Sequence, residues 1–523
     1  MSYPPPLGPS GPDATAAPPS PPPPATPGRA RLPRLAYVLA GVLALLLVAS
    51  VAVSIGTGVS LYRSGWPPAG STTGPTTDGG TDGVGDPYFP DYGSSGYDAT
   101  SYRVAVDFDP DSEVLSGQTT VTARADEELE VFYLDLALEA TRVQVEGVDA
   151  ASFEREGFQD LRITPQAPIA EGSTFEVIVD YAGQPGSLRR KGQHSPWQSD
   201  HQEWTVAGEP ESSAWWYPAN DHPSDPALLE VTVRVPKDFQ AISIGRLVSK
   251  DIAKEADFDT WQWQTSEPLP TYASFLAVGR YQLREGTTDG RPYVYAVSSQ
   301  FKASDRAHLF TALERTPDVV TELESFAGPY PYSEIGGFVP ATELPFDGLE
   351  TATRPVYEPE ALLSDDFGDE LLIHELAHMW FGNHVTLWQW NDIFTNEAFA
   401  SWAVWRVVER RGGTTADTEL DQTYDQTKDA ARFWQITMID PGPNRMFETV
   451  YFRGPMTLQA LRNVMGEQAF ADLVKVWAEG GTRSLEDFMV VAQARTTVDL
   501  APFFRTWLFD TTAPEKTKAN GFE

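Results

Sequence analysis

Two histidines four residues apart, His374 and His378 in the stretch IHELAHMW, enclose Glu375, and after eighteen intervening residues the second is followed by Glu397 in TNEAFASW. On a helix, positions i and i+4 lie one turn apart on one face, so both imidazoles can reach a single ion. Glu375, offset by about 100°, can approach a water on that ion. Two imidazoles, one carboxylate and an open fourth position make the ligand set of a catalytic rather than a structural zinc. The same spacing also suits two surface histidines on a helix whose core stripe is Leu372, Leu376 and Met379. The metal reading gains weight from the scarcity of histidine: the chain has seven, and three fall between 374 and 384. His384 follows the expected helix stop at Gly382 and reads as a surface or supporting residue, not a ligand.

Such residues need elements to hold them, and the composition supplies enough. At 523 residues, with 15 Trp, 27 Phe and 41% hydrophobic residues, the chain can build two or three domains with sizeable cores. A net charge of -36 argues against nucleic-acid binding, which needs a basic face. The absence of cysteine excludes disulfides, thiolate nucleophiles and Cys-ligated zinc.

The organisation follows from shifts in pattern. Residues 1–34 are Pro-rich and end in Arg29, Arg31 and Arg34, which reads as a disordered tail. Residues 35–62 carry no charge and include the 21-residue apolar run LAYVLAGVLALLLVASVAVSI, about the length that crosses a bilayer as a helix. With three arginines before it and only Arg63 just after, the positive-inside rule predicts a single-pass anchor with the N-terminus cytoplasmic and the remainder outside. A cleaved signal peptide is the competing reading, disfavoured by the long polar leader. Residues 63–95 are rich in Gly, Pro, Ser and Thr and read as a flexible stalk. From 96 to 285, runs such as YRVAVDF, FEVIVDY and LEVTVRV alternate at period two, predicting an antiparallel β domain. From 286 to 523 the runs lengthen to helical ones, as in DELLIHELAHMWFG and AFASWAVWRVVERRGG.

The stretch HELAHMWFGNHVTLWQWNDIFTNEAFASW, including Trp390, Asp392 and Asn396, resembles the zinc-site signature of the aminopeptidase N family of gluzincins. The likeness extends to WWYPANDHPSDPALLEVTVRVP, LPTYASFLAVGRY, VYFRGPMTLQALRNVMGEQAF and DLAPFFRTWLFDTTAPE. It implies a multidomain α+β fold, a β-sandwich or saddle followed by a thermolysin-like, mainly helical peptidase domain. It also implies one zinc per chain, held by His374, His378 and Glu397, with Glu375 as general base and Tyr451 donating to the oxyanion. On the same resemblance, Glu350 and Glu209 would hold the free α-ammonium of a peptide substrate.

Three departures accompany the likeness. The family's Gly-x-Met-Glu-Asn strand reads Asp347-Gly348-Leu349-Glu350-Thr351 here, Ala398 stands where the family has a glycine after its Asn-Glu pair, and the chain ends soon after RTWLFDTTAPE, before the large helical domain of many relatives. The cleft is therefore expected to be more open, or covered by a partner. Beside a membrane-anchored aminopeptidase, the residues leave open an endopeptidase, an epoxide hydrolase and a non-catalytic binding protein of the same fold.

Overall fold

The computed structural model describes residues 80–190, 194–251, 257–364 and 367–522. The expected tail, the apolar run of residues 35–62 and the stalk up to residue 79 lie outside these. Among the described residues no helix is long and apolar enough to cross a membrane.

The first half is β-rich. Eight strands form one sheet, with Tyr97–Asp109 at its centre between Val114–Ala125 and Leu228–Pro236. Alternation produces the buried face: Tyr102, Val104, Val106 and Phe108 point inward, as do Leu229, Val231, Val233 and Val235 on the neighbouring strand. A register shift between Ala99 and Ser101 lets Tyr97 and Ala99 stay buried although they fall on the other parity, as a bulge does. The expectation of a purely antiparallel domain needs correction, because Tyr97–Asp109 pairs in parallel with Leu228–Pro236. A parallel pair needs a long crossover. The more than 100 residues between these strands provide it and include the strands Phe132–Asp135 and Trp204–Val206 of other sheets.

The hairpin Tyr281–Thr288 and Arg291–Ser298 opens a five-stranded sheet, continued by Ile335–Val339 and Val356–Tyr357 and ending in the short edge strand Gly348–Leu349. This sheet straddles the expected boundary at residue 285. Helices follow, and three of them matter for the site: the histidine helix Gly368–Ala377, the glutamate helix Phe394–Arg410 and the tyrosine helix Val450–Met465. The glutamate helix is buried all round from Phe394 to Val404, so it sits inside the domain. Phe381 stacks on Phe399 at 4.6 Å, joining the end of the histidine helix to it. On its other side the tyrosine helix approaches so closely that a Cβ on Gly454 would lie 2.6 Å from the Cβ of Ala398. Gly454 and Ala398 thus form a matched small pair, and a buried Arg453 clamps the tyrosine helix by donating to the carbonyls of Ile436, Trp507 and Asp510 at 2.7–2.8 Å.

Residues 80–95, expected to be part of a flexible stalk, are instead folded onto the protein. Gly80 donates to the carbonyl of Val131 at 3.1 Å, Asp86 is 2% exposed, and Tyr92 is 1% exposed. Composition misleads here because the segment is held by polar and aromatic contacts to partners far away in the chain, which no local period reveals.

Candidate active site

The helices bring His374, His378 and Glu397 to one point. His374 Nε2 and Glu397 Oε2 are 3.2 Å apart, the two histidine Nε2 atoms 3.1 Å, and His378 Nε2 and Glu397 Oε2 3.4 Å. Metal–ligand bonds of about 2.0–2.2 Å place the corners of a tetrahedron about 3.3–3.6 Å apart, so the three donors are spaced to share one zinc-sized ion. Burial alone would push the Glu397 carboxyl up, but the two imidazoles outweigh it and hold the carboxyl at about 2, fully ionised.

The orientation of His378 is fixed from behind. Its Nδ1 lies 2.7 Å from Asn396 Oδ1 and 2.9 Å from the carbonyl of Phe381, two acceptors, so Nδ1 carries a proton and Nε2 is the nitrogen turned toward the centre. Gly382 makes this possible: its φ is +128°, and a Cβ there would stand 2.2 Å from Asn396 Oδ1. His384 takes no part and packs against the Gly480 turn. Trp390 and Asp392 shape the entry to the glutamate helix, Asp392 closing a reciprocal cap with Gln389 and accepting from Leu485 N–H at 2.8 Å.

Glu375 is 4% exposed and belongs with Glu350 and His378 to a second trio of possible ligands that overlaps the first. Burial, with the charges of Glu350 and Glu397 added and His378 opposing, pushes its carboxyl well above the usual range. A divalent cation among the donors would draw it back toward ionisation. The edge strand lies directly over it: a Cβ on Gly348 would be 2.5 Å from Glu375 Oε1. The glycine that this strand needs for close approach is thus Gly348, beside the Asp347 that stands at the family's first glycine. Gly348→Ala should retain the metal yet lower kcat about 10- to 100-fold by displacing Glu375; kcat and metal content of the variant check this.

Tyr451 stands at the mouth, 38% exposed, with its hydroxyl 3.3 Å from Glu397 Oε1 and its ring 5.8 Å from that of His374. Burial of the hydroxyl end and then the Glu397 charge raise the phenol well above its ordinary value, so it remains a proton donor. Glu350 is 3% exposed and accepts from the Tyr272 hydroxyl at 2.9 Å, which in turn accepts from Asn396 Nδ2 at 3.3 Å. Tyr272 and Gly348 escaped the sequence reading; the first lies inside LPTYASF, where nothing local marks it. Glu209 reaches the same place from the β domain. Its Oε1 is buried with no hydrogen-bond partner, and burial followed by the charges of Glu350 and Glu397 pushes its carboxyl well up. Two neighbouring carboxylates, one with an idle acceptor, are a site for a cation with protons to donate. His374, Glu375, His378, Glu397, Tyr451, Glu350 and Glu209 line one cleft of about 920 Å³, with Tyr272 and Asn396 behind it.

The description "Peptidase family M1 domain" matches residues 311–507. Aminopeptidase M1-B of Oryza sativa subsp. japonica is 23% identical over 316 residues, 56% of this chain and 35% of that protein. Aminopeptidase M1-D of the same plant is 22% identical over 428 residues, 75% of this chain and 48% of that protein. The chain thus spans between a third and a half of these relatives' length. A mutant M1 zinc metallopeptidase of Deinococcus radiodurans, solved with a Tyr-Ser-Ala substrate, superimposes with a TM-score of 0.73 at 26% identity, covering 83% of this chain and 98% of that one. A two-domain M1 zinc metallopeptidase mutant bound to L-arginine also gives 0.73 at 26% identity. The matched segment takes in the histidine, glutamate and tyrosine helices entire, and residues 311–507 are accordingly a peptidase family M1 domain.

Proposed function

We propose that this chain is a zinc aminopeptidase that removes residues from the free N-terminus of peptides. The observation that carries the reading is the placement of two acids, Glu209 with its idle buried oxygen and Glu350, in the same cleft as the three-donor centre. A protonated α-amino group answers both the charge and the vacant acceptor, whereas an internal peptide bond or an epoxide offers neither.

His374, His378 and Glu397 would hold the zinc, which would supply a Lewis acid for the scissile carbonyl and for the attacking water. The chain's own residues do the rest. Glu375 takes the proton of the attacking water and returns it to the leaving amine. Tyr451 donates a hydrogen bond to the oxygen that gains charge as the carbonyl is attacked. Glu350, oriented by Tyr272, pairs with the α-ammonium and so fixes which bond lies over Glu375. Relatives named as aminopeptidases and a neighbour solved with a peptide support this reading.

Glu350→Ala tests it. A charge-assisted hydrogen bond in a partly desolvated cleft contributes about 1.5–3 kcal/mol, so kcat/KM on free-amine peptides should fall by about one to two decades. N-acetylated peptides, poor substrates from the start, should change little, and zinc content should not change. Equal losses on both substrates would remove Glu350 from ammonium selection.

The reading includes a location. The uncharged span 35–62 behind Arg29, Arg31 and Arg34 supports an anchor with the peptidase outside the cytoplasm. Protease added to intact cells should release an active soluble fragment cut between residues 63 and 79, because residues 80–95 are folded into the domain. Protein protected from external protease would contradict this placement.

A further inference from the structure

The segment just before the β domain enters the cleft. Tyr88, Phe89 and Tyr92 line it together with Glu209, Glu350 and Tyr451. Its hold on the rest of the fold is strong and long-range. The carboxylate of Asp86 accepts from the backbone N–H of Trp390 at 2.8 Å, lies 3.2 Å from His222 Nε2, and caps the N–H groups of Tyr88 and Phe89 at 2.7 and 2.9 Å. Further along, Ser94 N–H donates to the buried Asn220 side chain at 2.6 Å. Between these fixed points the Tyr88 hydroxyl spans to the 440–442 turn, donating to Asp440 and accepting from Gly442 N–H at 2.8 Å. That turn leads into Met446 and Phe447, which line the same cleft.

The segment is also tied to the acid that would hold the ammonium. Phe89 meets Trp390 edge-on with ring centroids 5.9 Å apart, Trp390 packs on Tyr272 at 5.3 Å, and the Tyr272 hydroxyl donates to Glu350. The contact chain therefore sets Phe89 on the side of the cleft where the first residue of a substrate would lie. Phe89 itself is half-buried and stacked on Tyr92 at 4.8 Å, so its ring is a rigid apolar surface facing the cleft.

We propose that Tyr88–Tyr92 forms the side wall of the pocket for the substrate's first side chain, and that Phe89 limits the size of that side chain. This deepens the aminopeptidase reading and rests on it. A wall of this kind acts through shape: truncating its ring leaves room for a larger group and removes contact from a smaller one. A ring that merely plugs the fold would, when removed, lower all substrates together.

The test is a panel of aminoacyl reporters from alanine to tryptophan, run on the zinc-loaded full chain as wild type, Phe89→Ala and Phe89→Leu. In Phe89→Ala the ratio of kcat/KM for the tryptophan reporter over the alanine reporter should rise by about tenfold or more, the size expected when pocket volume changes by several methylenes. Phe89→Leu, which keeps most of the volume, should fall between the two and stands in if the alanine variant does not fold. A ratio unchanged in the folded variants overturns the proposal. Wild type inactive on every reporter while carrying zinc would instead sink the aminopeptidase reading beneath it.

Discussion

Glu375→Gln is expected to leave zinc bound and to reduce turnover by about two to four orders of magnitude, the range that a positioned general acid–base contributes. The substitution is nearly isosteric, so the Gly348 contact over the carboxylate is kept while the proton acceptor is lost. Glu375 lies outside the closest trio of donors, which is why the metal should remain. Zinc per chain by elemental analysis, beside kcat on a leucyl reporter, separates the two effects. Wild-type turnover in the variant would remove Glu375 from its role, and parallel loss of zinc would recast it as a ligand.

Glu397→Ala should act on the metal itself. It removes the anionic member of the trio and leaves two imidazoles 3.1 Å apart with no carboxylate between them. Losing an outer-shell partner of a metal ligand already costs about 10–100-fold in affinity, so loss of the ligand should exceed that upper figure. Activity should fall with occupancy, and the wild type should show a thermal midpoint that rises with added zinc while the variant's does not. The hydroxyl of Tyr451 would also lose its neighbour at 3.3 Å. Unchanged zinc affinity would show that the ion is held elsewhere.

The centre was legible because its geometry is local: a four-residue spacing on one helix and a carboxylate on the next, in a chain with only seven histidines, point to His374, His378 and Glu397. Glu350 and Glu209 came from resemblance alone, and no spacing links residues 141 apart. The period-two runs located the β domain, yet they carry no information about whether neighbouring strands run parallel, which depends on the crossover between them. In the sequence Ala398 is only a departure from the family's glycine; its meaning appears opposite Gly454, where two helices meet at a distance that larger residues would prevent. The segment 80–95 was the largest misreading. Its anchors join residues up to 354 apart, Asp86 to Trp390 and Tyr88 to Gly442, and a Gly- and Pro-rich stretch held by such contacts has the composition of a linker.

Hydrolysis of one peptide, with a free and with an acetylated N-terminus, by the purified protein before chelation, after chelation and after zinc is restored separates zinc-dependent removal of N-terminal residues from cleavage of internal bonds. The expected result is one zinc per chain, stepwise release of residues from the free peptide, loss of that activity on chelation and its return with zinc, with the acetylated peptide cleaved at least about tenfold less efficiently throughout. Full activity in protein freed of metal, or equal cleavage of the two peptides at internal bonds, would contradict it.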